Sequence, residues 1–94
     1  MSIAKNGTTG PNGTGNTKVY VTLSGYSATE TVSVDCLATQ STGDGSGTVD
    51  LGAINVVVGS DGSKASTYVC QYASGPYAQV RDQYGTHSNI VKVP

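Results

Sequence analysis

The stretch KVYVTLSGYSATETVSVDC, residues 18–36, decides the fold class of this 94-residue chain. Val19, Val21 and Leu23 alternate with Tyr20 and Thr22; after a turn at Gly25 and polar residues up to Glu30, Val32, Val34 and Cys36 alternate with Ser33 and Asp35. A period of two puts the aliphatic side chains on one side of an extended segment and the polar ones on the other. Both segments read as half-buried β-strands, the second with Cys36 facing inward.

The same reading extends downstream. Residues 39–48 (TQSTGDGSGT) are a loop by composition. Val49 and Leu51 begin another extended stretch, and residues 54–58 are a short β-branched run. Asp61-Gly62 accepts the positive φ of a type I′ turn, so residues 60–63 predict a hairpin with residues 64–72 as the partner strand. Tyr68, Cys70 and Tyr72 then share a face. After Gly75-Pro76, residues 77–82 and 88–93 read as strands separated by a turn at residues 82–85. About seven short strands with turns every 8–12 residues predict an all-β, antiparallel sandwich, with a single barrel as the alternative.

Composition agrees. Val contributes 12 residues and Thr another 12, against one Glu and one Met, and no helical apolar period is present. Apolar residues are 36% and the chain lacks Phe and Trp, so the core is thin for its length. A Cys36–Cys70 disulfide would close a loop of roughly 35 residues and stabilise such a core, implying an oxidising setting. Two buried thiols are the other reading of the pair.

The length allows one domain. Charged residues are only 12% and the formal net charge is -1, which leaves no basic field for nucleic acid or anionic lipid. No apolar run reaches the ~18 residues of a membrane span. Residues 1–5 lack the apolar stretch of a secretory signal, so a product made in the cytoplasm is expected. Residues 1–17 (MSIAKNGTTGPNGTGNT) repeat Asn-Gly-Thr and carry four Gly. They predict an extended N-terminal arm, separate from a sandwich of residues 18–94, that orders on assembly. Ile3, Lys5 and Pro11 are its candidate assembly residues.

Residues 18–23, the turn at 60–63 and the segment Val80-Arg81-Asp82-Gln83-Tyr84-Gly85, with Ser88-Asn89-Ile90-Val91 after it, carry a diffuse resemblance to bacterial and phage immunoglobulin-like domains. It covers residues 18–94 and implies a sandwich used for display or assembly. The run Tyr68-Val69-Cys70 resembles the Tyr-x-Cys of antibody-type domains, but no Trp packs on a disulfide and Lys64 stands where an Asp would help build a tyrosine corner. Some surface domains of this kind form an internal isopeptide bond; here Lys18 and Asn89 would be the partners, although the only Glu, Glu30, lies in a turn.

Chemistry-bearing residues are sparse. His87 is the only histidine, and a triad with Asp82 would need a serine that no Gly-x-Ser-x-Gly elbow supplies. Asp44, Ser46, Thr48 and Asp50 alternate like the start of a calcium loop, but that loop's glycine position holds Val49. Asp61 and Asp82 are the other candidate calcium oxygens. Asn6 and Asn12 are formal glycosylation acceptors. Neither an enzyme, a cofactor nor a metal is expected. Six Tyr could instead build a recognition patch, with Tyr72, Pro76 and Tyr77 as its candidates, or several of them could stand in the core for the missing Phe. The expected role is a structural module that docks on other protein subunits through its arm, with a virion-surface accessory or capsid decoration protein as the leading setting. The alternative is a secreted, cell-surface adhesion or glycan-binding module.

Overall fold

The two alternating segments become strands in different sheets, their aliphatic faces turned toward each other. In the computed structural model, which describes residues 1–11, 15–39, 49–73 and 77–93, seven strands follow in chain order. They are β1 (Ser2–Thr8), β2 (Thr17–Leu23), β3 (Thr31–Thr39), β4 (Val49–Val57), β5 (Lys64–Tyr72), β6 (Tyr77–Arg81) and β7 (Val91–Lys92). A three-stranded sheet has the order β1-β2-β5 and a four-stranded sheet the order β4-β3-β6-β7. Every pairing is antiparallel. The all-β antiparallel expectation holds.

Val19, Val21 and Leu23 from β2 meet Val32, Val34 and Cys36 from β3 in the core, which Val80, Ala78, Tyr72 and Val93 complete. The Cys36–Cys70 disulfide joins β3 to β5 across the two sheets. β1 lies against β7 and β5 against β3. The small sheet therefore lies over β3, β6 and β7, while β4, at the far edge of the large sheet, keeps Val56 in the core and leaves Ile54 and Leu51 exposed.

Four local readings are corrected. First, residues 2–8 are not a detached arm: they form β1, with Ile3 opposite Val21 and Lys5 opposite Val19. Ile3 is only 5% exposed and belongs to the core. The Asn89 carboxamide fixes this strand end, accepting from Ile3 N at 2.8 Å and donating to Ile3 O at 3.1 Å. Low complexity hid the strand because one buried aliphatic residue suffices when a neighbouring strand supplies the hydrogen bonds.

Second, residues 60–63 turn the chain from one sheet to the other. β4 pairs with β3 and β5 with β2, so no β4–β5 hairpin forms. Asp-Gly chemistry set the turn; core-facing side chains on both flanking strands set where they went. Third, the stretches around Val49 and Ile54 are one strand with a register break near Gly52, at φ 108°. Fourth, the last strand covers only Val91–Lys92; before it, His87 bridges back to Arg81.

The turn at 60–63 is locked to the β2–β3 connection. Tyr26 N donates to Gly62 O at 3.2 Å, Thr29 N to Gly59 O at 3.0 Å and Val58 N to Glu30 O at 3.0 Å. These bonds zip together two of the three connections that cross between the sheets, β2–β3 and β4–β5.

Candidate functional site

The candidate chemical residues find structural partners. Asp82 is buried, and its carboxylate accepts from the Tyr26 hydroxyl at 2.6 Å and from the backbone N–H groups of Tyr84 and Thr86, each at 2.9 Å. His87 is exposed. Burial pushes the Asp82 carboxyl up, but its hydrogen bonds outweigh that and hold it below the usual carboxylate range. The same contact, with burial first, raises the Tyr26 phenol. Tyr84 also donates to Glu30, which is lowered mainly by that bond.

A carboxyl held low when folded stabilises the protein above its unfolded value of ~3.9, and that contribution is lost as the pH falls through the lower folded value. Stability should therefore drop below about pH 4. Denaturant midpoints measured across that range should fall less steeply for Asp82→Asn. An equal slope for both proteins would exclude Asp82 as a source of the acid sensitivity.

Other expected constellations are not assembled. Lys18 Nζ lies 6.0 Å from the Tyr68 ring centroid, while Asn89 is committed to Ile3, so the isopeptide pair is not brought together. Asp44, Ser46 and Thr48 lie outside the described residues. Asp61 Oδ1 accepts from Ser63 N within its turn. Asp50 lies 3.7 Å from Arg81, which binds Asp35 at 2.7 Å. Those three charges line a cavity of about 440 Å³ on the outer face of the large sheet. Burial, then the Asp50 carboxylate, raises Asp35 despite Arg81. Among the described residues, no group of three or more His, Cys, Asp or Glu side chains gathers as metal ligands.

The tyrosine patch is also corrected. Tyr72 is 2% exposed and its hydroxyl donates to Leu37 O at 2.8 Å. Burial pushes its phenol up to about 12. It is a core residue with its one polar atom satisfied. Tyr77 is half-buried on β6, and Pro76 lies outside the described residues. Pro11 is exposed between β1 and β2. A surface tyrosine pair lies elsewhere: half-buried Tyr20 and exposed Tyr68 meet at 5.7 Å between centroids on the small sheet, their rings tilted by 45°.

What distinguishes this molecule is the side where the large sheet overhangs the small one. Ile54 lies opposite Val34 and Val56 opposite Val32, so both β4 residues share the core-facing side. Val56 is covered at 5% exposure, but Ile54 is 43% exposed and Leu51 53%. Leu51, Ile54 and Val69 line a groove of about 260 Å³ running beside the disulfide. Val57, on the opposite face of β4, is 56% exposed. Most of the large exposed aliphatic side chains of the described residues thus stand on this one strand.

Its edge is also unusual. Each sheet ends in two edge strands, and β1, β5 and β7 carry Lys5, Lys64 and Lys92, a common guard against strand addition. The sole charged residue of β4 is Asp50, drawn to Arg81. A register break near Gly52 protects one end only; residues 53–57 pair with β3 without interruption.

This surface was not anticipated. Its signal in the sequence was the run Ile54-Asn55-Val56-Val57-Val58, aliphatic on both faces and uncharged, which reads as a strand buried on both sides. No protein-family model, curated protein or solved structure matches the chain.

Proposed function

We propose that the chain is a non-enzymatic structural module, an immunoglobulin-like sandwich that joins a larger protein assembly through the open side at β4. The observation that carries this reading is the combination of exposed core-facing aliphatics on β4 with an edge that lacks a lysine guard. Contiguous apolar surface next to unpaired backbone is how sheets recruit another polypeptide strand. Docking by this edge replaces the expected docking by an N-terminal tether, since residues 2–8 belong to the sandwich.

The strand order supports immunoglobulin-like connectivity. Lettered along the chain as A, B, C, C′, E, F and G, the strands make an A-B-E sheet and a C′-C-F-G sheet. Relative to the ABED and CFG sheets of constant-type domains, the fourth strand sits on the other sheet. The disulfide fits an exposed, oxidising setting, and a virion surface is the setting we propose. The secreted glycan-binding reading draws on the Tyr20–Tyr68 pair.

A photoreactive phenylalanine analogue at position 57, in the protein expressed in its native host, tests the reading. A stoichiometric protein adduct from position 57 and none from position 22, exposed on β2, is expected. Absence of any protein adduct at 57 overturns the docking role and leaves the glycan-binding alternative.

A further inference from the structure

Granting that the open side docks a polypeptide, we infer that its occupant is a second copy of this chain, paired antiparallel through residues 53–57 about a two-fold axis at Asn55. A symmetric contact requires a patch that is complementary to itself. Residues 53–57 meet that requirement. With Asn55 opposite its own copy, Ile54 meets Val56 on the core-facing side, and Ala53 meets Val57 on the outer side.

Each such pair is apolar against apolar, and opposite residues of an antiparallel pair share a face. Ile54, 43% exposed, gains a cover that its own small sheet does not give. The inner faces of the two large sheets become one continuous apolar surface. At the axis the two Asn55 carboxamides each offer a donor and an acceptor to the other.

Charge permits the same arrangement. The formal net charge is -1, so one copy scarcely repels another. Lysines stand on the three other edge strands and not on β4. Nor is the β5 edge an equal competitor, because its pairing with β2 shifts register twice and it begins with Lys64. The segment without lysine and without a register break is 53–57.

Light scattering and sedimentation of the purified chain over a wide concentration range test the inference. Twice the 9.5 kDa chain mass is expected. Asn55→Lys sets two like charges against each other at the axis and should raise the dissociation constant at least ~10-fold. Ser2→Lys, the same change on the β1 edge, should leave it unchanged. If Asn55→Lys misfolds, Val57→Lys at the neighbouring exposed position replaces it. A monomer at all concentrations, or a dimer indifferent to both β4 substitutions, overturns the inference. A monomeric chain whose position 57 cross-links to a different protein overturns self-pairing alone and leaves the docking role intact.

Discussion

Substituting Cys36→Ala and Cys70→Ala together is expected to lower the free energy of unfolding by about 4 kcal/mol. The bond joins positions 34 apart in sequence and lies between β3 and β5, one strand from each sheet. On the chain-entropy account, closing a loop of that length removes roughly 4 kcal/mol of conformational freedom from the unfolded chain. Small domains have only ~5–15 kcal/mol in total, and here the apolar fraction is 36% without a Phe or Trp. The bond also sits beside the groove at the overhang, where Leu51 and Ile54 of β4 stay exposed. Its loss should therefore loosen the side of the molecule least able to compensate. For a domain of this size the midpoint of thermal unfolding should fall by roughly 15–30 °C. Urea unfolding of the wild type with and without reductant, beside the double variant, measures the effect. A difference under about 1 kcal/mol would show that packing alone holds the two sheets together.

Gly62→Ala carries the next largest expected cost, about 3 kcal/mol, from two causes that add. Gly62 has φ 76°, a conformation that disfavours any residue with a Cβ. A Cβ there would also fall inside the van der Waals surface of the Tyr26 carbonyl oxygen, a backbone atom with no rotamer to escape into. The clash matters because Tyr26 N donates to Gly62 O, and neighbouring bonds tie Thr29 to Gly59 and Val58 to Glu30. Pushing Tyr26 away opens the contact between the β2–β3 and β4–β5 crossings from sheet to sheet. Gly25→Ala is the matched control: its φ is 81°, yet nothing lies within 4 Å of an added Cβ. It should cost only the backbone term, ~1 kcal/mol. Equal losses for the two variants in chemical denaturation would rule out the close approach as the cause.

These cases show what could be read ahead of the fold. The disulfide could be anticipated because both cysteines lie in alternating segments that turn one face inward. The turn at Asp61-Gly62 was likewise legible from its φ requirement, but its partner was not. A turn reports where the chain reverses and not which strand receives the hydrogen bonds afterwards. Tyr72 looked equally suited to core or surface, and its hydroxyl settled into the core once Leu37 O and Gln79 O were within reach. Ile3 sat in a run of Gly, Asn and Thr, and only the β2 edge beside it made burial available.

By itself the sequence determined the class of structure: two-residue alternation, β-branched composition and punctuating turns leave an antiparallel β protein as the arrangement that buries its aliphatic faces. Tertiary structure alone decided which strands share a sheet, and with it that β4 extends past the small sheet. Alternation tells a strand which face is apolar but not what lies opposite. Coverage depends on how many strands each sheet recruits, so the exposed core-facing pair Leu51 and Ile54 exists only once three strands stand against four.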